Sequence, residues 1–204
     1  MPIDPRDPAS VRTLSRHRCF VYVAPCAYED LLKLGHSRDP LQRLQSLHRR
    51  WFEFFAPERI ALVETDTVRE ARAIELALQH ELAEWNALAP LTVLREAGGH
   101  GEWFRGAGAR LEDAVRALEA QGHRVHAPAT DWLRAALRAR SDLLHEWTNA
   151  ALTIDELELR AGTTPVQRVV RDALDACAAF DIALEERLPP AVWRWYRAGG
   201  GLAP

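Results

Sequence analysis

Cys19-Phe20-Val21-Tyr22-Val23-Ala24 and, beyond a loop holding Pro25 and Tyr28-Glu29-Asp30, Leu31-Leu32-Lys33-Leu34-Gly35-His36-Ser37-Arg38-Asp39-Pro40-Leu41-Gln42-Arg43-Leu44 form the stretch whose reading decides the fold. The first run is rich in β-branched and aromatic side chains, which suit a pleated, half-buried surface, so it reads as a strand. Leu31 to Gly35 is a second apolar run that closes on a glycine, and the two together predict a hairpin with a medium loop. Asp39-Pro40 then opens a helix: the aspartate caps the first free amides and proline suits the first helical position. Leu41, Leu44 and Leu47 recur at the spacing of one buried helix face.

Working outward, Arg59 to Glu64 reads as a third strand. Thr67 to Trp85 reads as a helix, with Thr67 as cap, Glu70 three residues on, and Ala71, Ile74, Leu78 and Leu82 at helical spacing. Gly98-Gly99-His100-Gly101 is a flexible turn before Glu102-Trp103-Phe104, a short strand. The order β-β-α-β-α-β predicts an α+β fold over residues 18–108, a small mixed sheet flanked by helices. Residues 1–17 hold the acidic, proline-rich Met-Pro-Ile-Asp-Pro-Arg-Asp-Pro and read as a leader without the apolar core of a signal peptide. From Ala109 onward no strand is predicted, and residues 109–204 read as an all-α domain. Leu111, Val115 and Leu118 mark one helix, ended by Gly122; Pro128 breaks the chain, and a longer helix is expected from Thr130 to Asn149.

Composition narrows the classes. In 204 residues, 48% hydrophobic and 27% charged, a core can be buried without metals or disulfides. Three cysteines, Cys19, Cys26 and Cys177, are an odd and sparse set that excludes a disulfide framework and fits a reduced, cytoplasmic setting. Cys19, Cys26 and His36 match no common zinc-ligand spacing. No apolar run reaches the length of about 18 residues that a membrane span needs, so no membrane partner is expected. A net charge of −3 argues against indiscriminate nucleic-acid binding. The charge is uneven, however: between Lys33 and Arg50 five cations (Lys33, Arg38, Arg43, Arg49, Arg50) face one acid, Asp39, with His36 and His48 among them. That segment is a candidate phosphate-facing surface.

Phe20-Val21-Tyr22, Lys33-Leu34-Gly35 and Ser37-x-Asp39-Pro40-x-x-Arg43-Leu44, in that order, resemble the two signature strands and the arginine helix of the GIY-YIG endonuclease superfamily. Ala73-Ile74-Glu75-Leu76 resembles its catalytic-glutamate helix, and Gly101-Glu102-Trp103-Phe104 the closing strand of a phage-derived branch. The resemblance covers roughly residues 19 to 106 and implies DNA as partner and phosphodiester hydrolysis as chemistry. By that resemblance Tyr22 would deprotonate the attacking water or relay its proton, and Arg43 would clamp the scissile phosphate with its planar fork of donors. Glu75 would hold one divalent ion, Mg2+ or Mn2+, since hard cations take carboxylate and phosphate oxygens. Two departures stand out. Lys33 replaces the second signature tyrosine, where an ammonium can contact phosphate and favour a tyrosinate at Tyr22. The asparagine that follows the glutamate helix in many members has no evident counterpart, the matching strand offering Trp103 and Phe104.

The catalytic set expected from the sequence is therefore Tyr22, Lys33, Arg43 and Glu75, with Glu75 as metal ligand. His36, Arg38, His48, Arg49 and Arg50 are expected to face DNA. Farther on, residues 152–178 resemble a helix-turn-helix: Thr153 caps a first helix carrying Leu157 and Ala161, Gly162 permits the turn, and Thr164-Pro165 opens a second helix with Val166, Val169 and Val170 facing inward. Its base-reading side chains would include Gln167, Arg168 and Arg171. Acids and arginines balance across Thr153–Arg171, so these helices suit a protein partner or a homo-oligomer as well as DNA. The resemblance implies a metal-dependent DNA endonuclease; the alternative is a non-catalytic DNA-binding or regulatory protein on the same scaffold, which Lys33 and the absent asparagine motivate.

Overall fold

The computed structural model of the chain describes residues 18–93, 95–159 and 162–199. The expected leader, residues 1–17, and Ala161 of the first helix-turn-helix segment lie outside the described residues. The described residues divide into two compact units, one running from residue 18 to Trp132 and the other from Leu133 onward.

In the first unit β1 (Cys19–Pro25) and β2 (Leu31–Ser37) form the expected hairpin, Tyr22 lying directly opposite Gly35. The helix after it, α1 (Pro40–Leu47), starts as its sequence dictates: the Asp39 carboxylate accepts the Gln42 N–H at 3.0 Å and Pro40 fills the first position. A one-turn helix, α2 (Trp51–Phe54), leads to β3 (Ala61–Thr65). The long helix α3 (Val68–Glu81) is capped by Thr67, which accepts the Glu70 N–H at 3.1 Å. Then come β4 (Asn86–Ala87), β5 (Trp103–Arg105), α4 (Gly108–Ala120) and β6 (Val125–His126). The strands pair antiparallel throughout, in the order β4-β5-β2-β1-β3-β6, an α+β architecture.

The sheet therefore gains two strands that were not expected, β4 beside β5 and, beyond Ala109, β6, where Leu62 pairs with His126 and Val63 with Val125. Two residues give too short an alternation to be read locally, and the partner of β6 lies some sixty residues upstream. Side-chain alternation sorts the sheet into two faces. Val21, Val23, Leu32, Leu34, Val63 and Phe104 bury one face against Ala71, Leu78 and Leu82 of α3 and its following turn and against Leu111 and Val115 of α4. The opposite face carries Tyr22, Lys33 and Trp103, all nearly fully buried.

In the second unit the helix expected from Thr130 to Asn149 is two helices, α5 (Thr130–Ser141) and α6 (Leu144–Ala151), interrupted at Asp142-Leu143 without glycine or proline. Next come α7 (Ile154–Glu158), α8 (Pro165–Ala179) and α9 (Pro190–Ala198). Gly162 sits at φ +86° in the turn before α8, a conformation that only glycine adopts at no cost. Thr164 and Gln167 close a reciprocal capping box at the start of α8. Val170 is buried as expected, but Val166 and Val169 are about 40% exposed and with Ile154 and Leu159 point outward. At the far end, the Tyr196 hydroxyl donates to the buried Asp175 carboxylate at 2.8 Å.

Candidate functional site

Tyr22, Lys33 and Arg43 converge on the face of the sheet away from α3. Tyr22 projects over Gly35, whose missing side chain leaves room for the ring: a Cβ there would stand 2.6 Å from Tyr22 Cζ. The Arg43 Nε–H donates to the Tyr22 hydroxyl oxygen at 3.2 Å. Arg43 is delivered by the first turn of α1, its N–H bonded to Asp39 O at 3.0 Å, so the cap that starts the helix also sets the guanidinium over the hairpin. Burial pushes the Tyr22 phenol up to about 12, which the neighbouring Arg43 only partly offsets.

Lys33 is wholly buried. Its ammonium donates to Leu34 O at 2.7 Å and to Glu102 Oε2 at 2.5 Å. It lies 5.9 Å from the Tyr22 ring centroid and 6.0 Å from that of Trp103. Burial lowers its pKa to about 8 against the pull of Glu102, which favours the charged form. Far from joining a cationic surface, Lys33 is thus a core ammonium with one carboxylate partner.

A loop closes over the cluster. Arg43 Nη1 donates to Ala97 O, and Nη2 reaches Gly98 O at 3.4 Å. Gly98 and Gly99 hold φ of +65° and +70°, and a Cβ on Gly99 would lie 2.8 Å from Arg43 Nη2, 2.8 Å from Glu102 Oε2 and 3.1 Å from Lys33 Nζ. Glycine at 99 is required both by its backbone and by this crowding.

Glu75 stands apart from this hydrogen-bonded group. It projects from α3, only 5% exposed, and pairs with Nδ1 of His36 on β2. His36 alternates with Leu32 and Leu34, so the pair sits at the end of the α3-covered face, reaching the cluster through charge: Glu75 raises Tyr22 and favours the charged form of Lys33. A carboxylate and an imidazole nitrogen meet here, and the described residues hold no group of three or more candidate metal ligands.

The remaining expected residues scatter. Arg38 and Arg49 are exposed. His48 stacks on Phe54 with ring centroids 4.4 Å apart, and its Nδ1 is buried. Arg50 is tied to Glu53 at 2.6 Å and lies over the Phe52 ring, so its charge is matched locally. In the second unit Gln167 is 0% exposed: its carbonyl oxygen accepts from Thr163 N–H at 2.8 Å and its amide donates to Glu156 O at 2.5 Å. A side chain spent in this way cannot read a base edge, so Gln167 is a capping residue. Arg171 donates to Gly199 O at 2.7 Å, whereas Arg168 is exposed beside the Gly162 and Thr163 carbonyls.

Sequence reasoning missed Glu102 and Asn86. An asparagine does follow the glutamate helix: the Asn86 amide donates to Gly101 O at 2.6 Å and to Trp103 O at 3.2 Å, fixing the backbone on both sides of Glu102. The signal for Glu102 was its position just before a strand whose Trp103 pairs with Lys33.

The fold and this cluster define an antiparallel α+β domain in which a buried tyrosine and lysine meet a half-buried arginine. Residues 19–119 match the T5orf172 domain family, a span that takes in β1 through α4 and all of the residues just described around Tyr22. No curated protein and no solved structure matches the chain. Among the described residues no helix is long and apolar enough to cross a membrane.

Proposed function

We propose that this chain is a metal-dependent DNA endonuclease of GIY-YIG type. The observation that carries the reading is the Arg43 Nε–Tyr22 hydroxyl contact over Gly35, beside the buried Lys33 ammonium. Support comes from the matched domain, which is phage-associated and often found in nuclease-like proteins. Hydrolysis of a phosphodiester needs a group to take a proton from water and cations to meet charge growing on phosphoryl oxygens. In this reading Tyr22 accepts or relays that proton, and Arg43 binds the phosphate by its planar fork. Since the phenol is held at about 12, it needs added positive charge before it can act near neutrality.

Glu75 with His36 would hold one divalent ion, Mg2+ or Mn2+. A carboxylate and an imidazole at the end of β2 suit a cation that fills its other positions with water and phosphate oxygens. Bound there, the ion would supply Lewis-acid neutralisation of the substrate phosphate. The same geometry favours a second reading, a non-catalytic DNA-binding or regulatory protein, through one observation: the Arg43 fork is engaged by the Ala97 and Gly98 carbonyls. In either reading the exposed Arg38, Arg49 and Arg168 would meet DNA backbone, and the α7–α8 segment would meet DNA or a protein partner.

The test is cleavage of supercoiled plasmid and single-stranded DNA with magnesium or manganese, comparing the wild type with Glu75→Ala and Tyr22→Phe. Metal-dependent cutting lost in both variants supports the nuclease. Cutting retained by Glu75→Ala sinks its role as metal ligand, and salt-sensitive binding without cutting in any metal moves the protein to the second reading.

A further inference from the structure

Lys33 is the only lysine in this chain; the other basic residues among its 26 lysines and arginines are arginines. A guanidinium cannot lose its proton in a protein, whereas a buried ammonium readily can. The one titratable side-chain amine therefore sits in the core of the site, against the Tyr22 ring. What determines its charge is the set of groups around it: Tyr22 from β1, Arg43 from α1, Glu75 from α3 and Glu102 at the entry to β5. Burial and Arg43 drive the amine toward neutrality; Glu102 opposes them most, by hydrogen bond and by charge, and Glu75 to a smaller degree.

We propose that Glu102 is a positioning residue of the site: its carboxylate holds the Lys33 ammonium charged and aimed beside Tyr22. This rests on the nuclease reading for its chemical consequence, because a charged Lys33 favours the tyrosinate that proton transfer requires. Three features hold the carboxylate in place. Asn86 clamps the carbonyls of Gly101 and Trp103, the Leu34 N–H donates to Glu102 O at 3.1 Å, and Gly99 leaves the space that Glu102 Oε2 and Lys33 Nζ occupy. The 2.5 Å contact from Glu102 Oε2 joins a wholly buried cation to a carboxylate that is one-third exposed. The carboxylate's outer side is thus open to solvent while its inner oxygen serves the amine.

The single lysine makes the experiment direct. Protein grown with 13C-lysine gives one Cε signal, whose shift reports protonation of Lys33 in the intact chain without any assay of activity. In Glu102→Gln the titration midpoint falls by at least one pH unit, a tenfold loss of proton affinity, and Glu102→Asp restores most of it. Asn86→Ala, which keeps the carboxylate but frees its backbone, moves the midpoint the same way by a smaller step. An unchanged midpoint in Glu102→Gln, or in Asn86→Ala where the former does not fold, overturns the proposal. The pH profile of DNA cleavage should shift in step with the amine. If the wild type cuts no DNA, the nuclease reading falls while the lysine titration still decides the role of Glu102.

Discussion

The Tyr22 phenol lies across the backbone of Gly35, its partner in the β1–β2 ladder, so closely that the ring occupies the space any side chain at 35 would need. Gly35 is thus part of the site without bearing a functional group. Gly35→Ala should push the ring off its contact with Arg43. The expected result is loss of cleavage together with a destabilisation of about 1–3 kcal/mol, the usual cost of overpacking a core, read by chemical denaturation. Full activity in this variant would show that the placement of Tyr22 is not needed.

Arg43 meets carbonyls where a nuclease would present it to phosphate. In the nuclease reading substrate displaces Ala97 O and Gly98 O from its fork, so binding of a non-cleavable duplex should speed hydrogen exchange of the amides around Gly98–Gly101. Arg43→Lys keeps charge but loses the planar fork and the Nε bond to Tyr22. Cleavage should fall roughly a hundredfold or more, with little change in Tm. Unaltered exchange on binding would mean that the loop stays seated and that phosphate goes elsewhere.

Lys33 also links stability to pH. Its folded value of about 8 lies below the ordinary lysine value, so the folded state releases the proton first. Between about pH 8 and about 10.4 the unfolded chain binds more protons than the folded one, and stability contributed by this group rises with pH. Below that window the cost of a charged buried amine is present in full. Cys26 and Cys177, raised from 9.0 to about 12, and Tyr22, raised from 10.0 to about 12, act in the opposite sense, the thiols from within this window and the phenol from its upper end. The difference in unfolding free energy between wild type and Lys33→Met isolates the amine. It should change by on the order of 2–3 kcal/mol across the window, and a flat difference would remove Lys33 as a titrating group.

In the second unit, Gln167→Ala should cost about 1–3 kcal/mol because it leaves buried partners of its amide unsatisfied, while Thr164→Ala should cost about 1 kcal/mol as a lost cap. Arg168→Ala, at an exposed position, should leave stability within about 0.5 kcal/mol. Denaturation midpoints of the three variants check the order. A reversed order would return Gln167 to the surface role first expected of it.

Local signals carried most of the first unit. Asp39-Pro40 and Thr67-x-x-Glu70 specify helix starts through contacts within four residues, and Tyr22 to Arg43 could be placed because one hairpin and one helix turn connect them. What escaped was non-local or two-sided. The Lys33–Glu102 pair joins residues 69 apart, and β6 exists only through β3. Lys33 and Arg50 counted as surface cations because composition shows charge but not the carboxylates that match it. The interval Thr164-x-x-Gln167 already had capping-box spacing, yet the helix-turn-helix resemblance led to reading Gln167 as base-facing. Val166 and Val169 show the same limit: helical spacing defines a stripe, and the packing of the neighbouring segments decides whether it turns inward.

The outermost strands, β4 and β6, are two residues long. A sheet normally offers its free rim to any passing extended chain, and a long rim invites stacking into aggregates. Here the central ladders of β1, β2 and β3 are enclosed, and each border ends after a single pair of residues. Copies of the domain brought side by side therefore offer one another only two-residue borders along which their sheets could join.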